Sequence, residues 1–452
     1  MNSVLSPFRR IVLLSFFLVY MLSACKHTAT ISLDEQLSAA IIDLSETGSK
    51  SYFIFPASDN YSIIPNQDPN NPITAEKVAL GKLLYFETGF GQNSKHLAAM
   101  ETYSCASCHI PSKGFTPGRL QGVADGGIGF GQDGEGRIQW NIFDEDDVDV
   151  QGLRALSMLN LAYVTNTFWS GQFGANDKNI GTEAAWDRKE EFKVNHLGYS
   201  GQESQHIVGI DLHRLAVTEK LLDEYGYRSY FDVAFPDVDV EKRYTNETAA
   251  FALAAYLRTL FANKAPFQDW LKGDDNALTV NQKRGALVFL TKAGCTGCHH
   301  SPSFNSMEFH RLGVKDMNAH PDALATSESD DKNLGRGGFT GLPEDMRKFK
   351  VPQLYNVGDY ATYFHGSSKH TLRDVINYKL TAKSENRFVL NSSLSEKFKP
   401  VTLTQVEKDQ LIDFLKNGLR DPDLQRYVPA ELPSGNCSPN NDPFSQVDLG
   451  CQ

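Results

Sequence analysis

Apolar residues recur at three- and four-residue intervals over several stretches of this 452-residue chain. Three such stretches run from 33 to 44, from 73 to 86 and from 278 to 290. This spacing places the apolar side chains on one face of a helix. The alternating pattern of a half-buried strand is weak throughout. The pattern therefore predicts a mainly α protein.

Three more segments predict helices that connect or close the fold. The Ala-rich segment 247–262 has the strongest helical pattern, and we expect it to lead from one part of the chain toward the next. A short helix is predicted over 371–380 and a closing helix over 404–419. Thr404 or Thr402 is the expected N-cap of the closing helix, because a Thr hydroxyl accepts hydrogen bonds from backbone amides of the first turn.

The first 25 residues have the pattern of an export signal. Arg9 and Arg10 precede an apolar run over 11–21, which is too short to span a bilayer comfortably. The run leads to Leu22-Ser-Ala-Cys25, which is similar to the lipobox of bacterial lipoproteins. That similarity would make Cys25 the first residue after cleavage, with a lipid that anchors the protein to a membrane. An ordinary signal peptide is the alternative, and both predict export.

Two pentapeptides of the form Cys-x-x-Cys-His occupy 105–109 and 295–299. This is the attachment pattern of a c-type haem, in which two thiols bond the vinyl groups of the porphyrin and the adjacent imidazole binds the iron. Each motif therefore predicts one covalently bound haem. The residues are Cys105, Cys108 and His109 in the first motif, and Cys295, Cys298 and His299 in the second.

Zinc and dithiol chemistry are the alternatives to haem at these motifs. A zinc ribbon would use the two Cys pairs as one site and would not need a His after each pair. A thioredoxin-like redox pair would lie in a βαβ pattern, and no such pattern surrounds either motif. Two copies in an exported chain with only seven Cys favour haem.

Each motif follows a similar helix, so the chain contains an internal repeat. Residues 81–86 before the first motif correspond to residues 285–290 before the second. We therefore predict two cytochrome c-like haem domains with long loops. The predicted parts are a lipoprotein signal peptide (1–24), an N-terminal tether with a short helix (25–72), an N-terminal haem domain (73–265), a C-terminal haem domain (266–430) and a polar tail (431–452).

The charge distribution excludes one class of partner and raises one question. The formal net charge is −11 and no block of Lys and Arg appears, so we expect no nucleic-acid partner. The acidic run 144–149 raises the question of a bound calcium ion. It lacks the spacing of an EF-hand loop, which favours a solvated acidic loop.

In the tail, Cys437 and Cys451 are expected to form a disulfide in an oxidising compartment, with two free thiols as the alternative.

Taken in order, these motifs resemble the bacterial dihaem cytochrome c peroxidase family, which includes the dihaem oxidases of methylamine utilisation. The resemblance covers roughly residues 73–425. The haem motifs alone occur in many cytochromes, but the ordered set is specific. The matching segments are 80–89, 104–118, 154–174, 254–274, 293–304 and 348–376.

The resemblance implies a division of labour between the two haems. The N-terminal haem on His109 would bind hydrogen peroxide, and the C-terminal haem on His299 would receive electrons from a small donor protein of the cytochrome c or cupredoxin type. Trp169 matches the Trp that relays electrons between the haems in the family. A periplasmic location and a peroxidase activity are further implications, and a homodimer is left open.

The resemblance also directs attention to an acid/base group beside the first iron. The family uses a carboxylate in a Pro-Val-Glu-Met-like stretch, and the nearest match here is Asp211, with Glu203 as second choice. Peroxide cleavage needs such a group because a proton must move between the two oxygens. His206 and His213 are further candidates for the distal side of this haem.

Three departures from the family pattern affect the expected chemistry. Gln172 stands where the family has Arg after its Phe-Trp-Asp-Gly. No His occurs between 110 and 194, although many members use one to ligate the first iron at rest, so we expect an iron position that is open without reductive activation. The helix over 371–380 also lacks the Met that ligates the second iron in the peroxidases.

Two neighbouring residues are the candidates for that missing ligand. Tyr378 is the first choice because the dihaem oxidases use Tyr in this helix, and Lys379 is the second. Met317 and Met346 are outside candidates. His365 is expected to contact a haem propionate or the region between the haems rather than an iron.

Three functions remain open on the sequence. The first is a peroxidase that reduces hydrogen peroxide to water. The second is a dihaem oxidase that uses peroxide to oxidise a protein or organic substrate, which a Tyr ligand would favour. The third is a dihaem electron-transfer protein without enzymatic activity.

Overall fold

The computed structural model describes residues 31–451. The predicted signal peptide and the predicted lipid site Cys25 lie outside the described residues. Within that range the fold is mainly helical, as predicted, and the connections are long loops with short 3₁₀ turns. No described helix combines the length and the apolar composition that crossing a bilayer would require.

The helices and strands of the described residues follow in chain order. The helices are α1 (Leu33–Leu44), α2 (Ala75–Phe86), α3 (Gly201–Leu212), α4 (Arg228–Ala234), α5 (Val240–Arg243), α6 (Asn246–Arg258), α7 (Pro266–Leu271), α8 (Val280–Leu287), α9 (Arg336–Thr340), α10 (Leu372–Thr381), α11 (Gln405–Asp413) and α12 (Pro443–Leu449). Two short antiparallel pairs complete the set, β1 (Gly127–Ile128) with β2 (Ile138–Gln139) and β3 (Phe309–His310) with β4 (Phe349–Lys350).

Most of the predicted helices begin at Thr caps, whereas α1 begins at a Ser cap, Ser32. Thr74 caps α2 and Thr371 caps α10 through side-chain oxygens that accept from the third residue of each helix. Thr279 and Thr404 form full capping boxes at α8 and α11, so Thr404 rather than Thr402 is the cap of the closing helix. These caps satisfy amides that would otherwise lack partners in the first turn.

The internal repeat is also a repeat in three dimensions. Helix α2 crosses α6, and helix α8 crosses α11, each through a glycine. A Cβ on Gly81 would lie 2.0 Å from the Ala252 carbonyl oxygen, and one on Gly285 would lie 1.9 Å from the Gln410 carbonyl oxygen. Only a residue without a side chain permits such close backbone approach.

The segment before the first haem domain is not a free tether. The Phe55 ring lies 5.6 Å from Tyr163 and 4.8 Å from Tyr355, measured between ring centroids. At α1, Asp34 accepts a 2.7 Å hydrogen bond from Trp270 and pairs with Lys283 near the second motif. The N-terminal segment therefore packs against both haem-binding parts of the chain, and one apolar cluster runs through them.

The polar tail folds back onto the first haem-binding part. The predicted disulfide between Cys437 and Cys451 is present. Asp442 is fully buried and pairs with the buried Arg137 at 3.3 Å. The Ser104 hydroxyl, directly before the first motif, donates to the Pro439 carbonyl oxygen at 2.9 Å. The tail is thus a structural part of the first unit.

Candidate haem and peroxide site

The first motif forms one 3₁₀ turn that presents an imidazole. The His109 amide donates to the Cys105 carbonyl oxygen at 3.1 Å. The His109 Nδ1–H donates to the Phe115 carbonyl oxygen at 3.2 Å, which leaves Nε2 free to bind a metal. Burial lowers the pKa of His109 to about 4, so the imidazole is in the neutral form that iron requires.

A cavity of about 550 Å³ lies beside this motif. Cys105, Cys108 and His109 form part of its wall, and the remaining wall is mostly apolar. The side-chain oxygen of Gln151, in the same wall, is buried without a partner. A cavity with two thiols, a free imidazole nitrogen and an unpartnered polar atom fits a covalently held haem.

The second motif repeats this arrangement. The His299 amide donates to the Cys295 carbonyl oxygen at 2.9 Å, and the His299 Nδ1–H donates to the Phe304 carbonyl oxygen at 2.6 Å. Burial, followed by the positive charge of Lys379, lowers the pKa of His299 to about 3. The donor set of this motif also fits a c-type haem.

Neither carboxylate proposed from the sequence reaches the first cavity. Glu203 is fully buried in α3, where its carboxylate accepts two bonds from the Arg258 guanidinium and a 2.9 Å bond from Asn71. Asp211 is exposed and accepts a 2.8 Å bond from Asn246. Both carboxylates are engaged elsewhere, so the geometry does not support the acid/base role predicted for them.

Two histidines of the same region do line the cavity. The His206 Nδ1–H donates to the Gln202 carbonyl oxygen at 2.6 Å, which leaves its Nε2 unprotonated. Burial lowers the pKa of His206 to about 4. His213 pairs through Nδ1 with Asp149 at 2.8 Å, and although burial opposes the charge, this carboxylate raises the pKa of His213. Besides His109, the cavity therefore has one neutral imidazole, His206, and one carboxylate-paired imidazole, His213.

Trp169 forms another part of the cavity wall. Its indole N–H donates to the Arg154 carbonyl oxygen at 2.7 Å, which fixes the ring. The ring centroid lies 6.2 Å from that of His365 and 6.4 Å from that of Phe349. Trp169 thus connects the first cavity with aromatic residues from the C-terminal part of the chain.

His365 is buried between two partners. Its Nε2–H donates to Asp316 at 3.0 Å, and its ring stacks on Phe349 with centroids 3.6 Å apart. Although burial opposes the charge, the bond from His365 holds the pKa of Asp316 below its usual value. A ring nitrogen that donates to a carboxylate is not free for iron.

The two candidates for the sixth ligand of the second haem iron, Tyr378 and Lys379, contact different groups. The Tyr378 hydroxyl donates to the Leu312 carbonyl oxygen at 2.5 Å. The Lys379 nitrogen lies 5.4 Å from the Phe364 ring centroid and 5.6 Å from that of Phe398. Among the outside candidates, Met317 is fully buried and Met346 packs on Gly337.

Gln172 lines the first cavity and accepts a 2.7 Å bond from Ser170.

The acidic run does not converge on one point. Asp147 pairs with Lys95 at 3.5 Å, Asp149 with His213, and Glu145 accepts from the Ala325 amide at 2.7 Å. Within 31–451, metal-like spacing is found only for Cys298, Glu308 and His310, and that group includes a haem-bonding sulfur. The calcium site considered from the sequence gains no support from these contacts.

Two buried cations near Trp169 were not singled out from the sequence. The Arg154 guanidinium is stacked 5.7 Å from the Trp169 ring and 5.2 Å from the Tyr360 ring. Lys350 donates to the Asn166 carbonyl oxygen at 2.6 Å, and burial lowers its pKa to about 7. Both lie in segments that match the family, but nothing in their local pattern indicates burial.

The fold and the two motifs define a dihaem c-type oxidoreductase with a haem-sized cavity at its first motif. A family model described as di-haem cytochrome c peroxidase matches residues 75–276. Over those residues the chain is similar to this family, and it carries two covalently bound c-type haems.

Relatives from two branches of the family are similar over most of the chain. Methylamine utilization protein MauG of Methylorubrum extorquens is 29% identical over 354 residues, which cover 78% of this chain and 80% of that protein. Cytochrome-c peroxidase IdrP1 of Denitromonas iodatirespirans is 26% identical over 371 residues, covering 77% and 82%. A solved structure of a MauG-like protein associated with microbial copper homeostasis shares the fold, with a TM-score of 0.55, 21% identity and coverage of 86% and 98%.

Proposed function

We propose that this protein reduces hydrogen peroxide to water at its first haem, with electrons that a small periplasmic donor delivers to the second haem. One peroxide, two electrons and two protons give two molecules of water. The observation that carries the proposal is the cavity beside His109, because it combines a proximal imidazole, a free imidazole nitrogen on His206 and the Trp169 ring. When bound, the haem supplies the redox-active iron.

His206 is our assignment for the acid/base group. Its Nδ1–H is held by the Gln202 carbonyl oxygen, so the neutral ring has its basic nitrogen available in the cavity. Such a nitrogen accepts the proton of bound peroxide and returns it to the leaving oxygen. His213 is less suited. The negative charge of its partner Asp149 helps to raise the pKa of the Cys108 thiol, so the pair lies at the cysteine edge of the site.

Variants of the two histidines test this assignment. We expect His206→Gln to lower steady-state peroxide turnover by about 10²-fold, the usual contribution of a positioned acid/base group, with both haems still attached. His213→Gln, measured with the same donor, serves as the matched control and should lose less. Unchanged turnover in His206→Gln would remove this residue from the chemistry.

Electron transfer from the second haem to the first is proposed to use Trp169. The indole lies in the cavity wall and within 6.2 Å of the His365 ring, measured between centroids. Aromatic rings in this position shorten the gap that an electron must cross. The direction of flow follows from the assignment of peroxide to the first haem.

The first haem is proposed to keep an open iron position at rest. The support is that residues 110–194 contain no His, so the loop after the first motif offers no imidazole for that position. A high-spin ferric signal from the resting, fully oxidised protein is the expected observation. Two low-spin haems at rest would instead favour a protein that only transfers electrons.

A peroxide-driven oxidase remains the second candidate function. The identity with the methylamine utilization protein favours it. A Tyr ligand on the second iron would also favour the oxidase. Tyr378 does not support that argument, because its hydroxyl is bonded to the Leu312 carbonyl oxygen. Donor-dependent turnover of peroxide without a second substrate would support the peroxidase.

We also propose that a lipid on Cys25 holds the protein on the periplasmic side of a bacterial membrane. The support is the Leu22-Ser-Ala-Cys25 sequence after the apolar run. Cys25→Ala should release the exported protein from the membrane fraction. Retention of that variant with the signal cleaved would mean that the anchor lies elsewhere.

A further inference from the structure

Lys379 has an amine without a partner. Within residues 31–451 it forms no ion pair and donates no hydrogen bond, and its recorded contacts are with aromatic rings. The side chain is partly buried, and its nitrogen lies 5.4 Å from the ring centroid of Phe364 and 5.6 Å from that of Phe398. An amine held between two aromatic rings without a hydrogen-bond acceptor from the protein requires an explanation.

The Lys379 amine faces the second haem motif. Its charge contributes to the pKa values of the Cys295 and Cys298 thiols, both of which burial raises, and to the low pKa of His299. No other Lys acts on all three of these groups. The geometry agrees. Lys397, next to Phe398, pairs with Glu308 at 2.6 Å, and the Glu308 carboxylate lies within 4.8 Å of the Cys298 sulfur, so the amine beside the Phe398 ring lies close to the second motif.

The adjacent Tyr378 cannot share this orientation. Successive residues of a helix are rotated by about 100°, so Tyr378 and Lys379 point in different directions from α10. The Tyr378 hydroxyl ends at the Leu312 carbonyl oxygen, 2.5 Å away, and the Lys369 nitrogen lies 5.1 Å from the centroid of the Tyr378 ring. The phenol is thus already fully engaged by the protein.

We propose that the Lys379 amine, and not the Tyr378 phenol, would hold the iron of the second haem together with His299. The bond forms between the nitrogen lone pair and the iron, and the ammonium first releases one proton to solvent. The inference rests on haem loading at the second motif, and not on the direction of electron flow.

This ligand predicts a particular redox character for the second haem. A thioether ligand raises the reduction potential of a haem, whereas a nitrogen donor favours the ferric state. The second haem would therefore be a stronger reductant than a His/Met haem of the same fold. That property suits a haem that must pass electrons onward to a peroxide-reacting site.

The wild-type holoprotein provides the first test. In the reduced, diamagnetic second haem, the methylene protons of a ligating lysine lie over the porphyrin and shift far upfield in the proton NMR spectrum. We expect one such lysine spin system. A phenolate-to-iron charge-transfer band in the oxidised protein, with no upfield lysine signals in the reduced one, would overturn the inference.

Variants provide the second test. Lys379→Met should remove the lysine signals, introduce the near-infrared band of a Met-ligated ferric haem and raise the potential of the second haem. Lys383→Met, which removes an exposed lysine four residues away, and Tyr378→Phe are the controls and should keep the wild-type signals. Persistence of the lysine signals in Lys379→Met, or their loss in Tyr378→Phe alone, would contradict the assignment.

The test of the Lys379 ligand and the test of the proposed peroxidase function can fail independently. Turnover of peroxide with an artificial donor reports on the first site, while the spectra report on the ligand of the second iron. A holoprotein with lysine signals but no turnover would refute the peroxidase and leave the ligand in place. If Lys379→Met does not bind its second haem, the wild-type spectrum alone decides.

Discussion

Three histidines of this protein share one local arrangement. In His109, His206 and His299, Nδ1–H donates to a backbone carbonyl oxygen, so each ring directs its Nε2 away from that bond. Each ring also has a pKa that burial lowers, to about 4, about 4 and about 3 respectively. The same arrangement thus prepares two nitrogens for iron and one for a proton.

His206 leads to a prediction about pH and stability. Its pKa is about 4 in the folded protein and about 6.5 in an unfolded chain, so the unfolded state binds the extra proton between these values. The stability that this neutral imidazole contributes is fully present above pH 6.5 or so and is lost as the pH falls toward 4. We expect His206→Gln to show a smaller decrease in Tm between pH 7 and pH 5 than the wild type.

Exposed histidines provide the control for that measurement. His196 is half-exposed, and His196→Gln is the control variant measured over the same pH range. Equal decreases in Tm for the wild type and for His206→Gln would show that His206 titrates normally in the folded protein.

Trp169 carries the second prediction at this scale. Trp169→Phe keeps an aromatic ring but loses the indole bond to Arg154, so electron passage between the haems should slow. Stopped-flow reoxidation of the reduced protein by peroxide measures this step. The absorption spectra of both haems should stay as in the wild type, and an unchanged rate would exclude Trp169 from the path.

At the scale of elements, the sequence predicted the helices that have both a cap and a repeated apolar face. Helices α2, α8, α10 and α11 were found because Thr caps and apolar spacing are local signals. Helix α3 was not predicted from the sequence, because its buried positions include the polar residues Gln202, Glu203 and Ser204. Those polar residues are buried by contacts with distant parts of the chain, which a local pattern does not record.

The same distinction separates the site residues. The haem motifs were predictable because covalent attachment fixes a spacing of three and four positions. The acid/base assignment from sequence favoured Asp211 and Glu203, yet the first is on the surface and the second is paired with Arg258. Which side chain of a helix faces a cavity depends on the packing of the whole helix, and this information is absent from the motif.

The close approach of α2 and α6 at Gly81 leads to a prediction about the free energy of unfolding. Gly81→Ala would improve the helix propensity of α2 by about 1 kcal/mol if the site were open. A Cβ here would instead lie 2.0 Å from the Ala252 carbonyl oxygen, so we expect a net destabilisation of about 1–3 kcal/mol. Denaturant unfolding measures the change.

Ala79→Gly on the exposed side of α2 is the matched control. It should lower the free energy of unfolding by about 1 kcal/mol through helix propensity alone. A stabilised Gly81→Ala protein would show that the two helices can move apart at no cost.

At the scale of the whole molecule, the two haem parts, the N-terminal segment and the tail form one connected structure. The Phe55 ring contacts aromatic residues of both haem-binding parts, and α1 pairs with Lys283 beside the second. The domain boundaries predicted from the sequence therefore describe the origin of each part in the chain, and not separate bodies that pack weakly. Electron passage between the haems benefits from such a fixed arrangement.

The tail contributes measurably to that arrangement. Asp442→Ala leaves the buried Arg137 without its carboxylate, and we expect this to cost about 3–5 kcal/mol. The variant should also be cleaved faster after residue 430 in limited proteolysis. Glu431→Ala, at an exposed position, is the control and should change the free energy of unfolding by less than about 0.5 kcal/mol. Equal protease resistance of the two variants would contradict the prediction.

The hydrogen bond from Ser104 to Pro439 joins residues that are 335 positions apart in the chain. A second bond, from Asn440 to Ser107 at 3.0 Å, ties the same tail to the turn between the two cysteines of the first motif. A chain exported from its N-terminus delivers Cys105 and Cys108 well before the residues that cover them. We therefore expect the first motif to be accessible for haem attachment until the tail has folded over it.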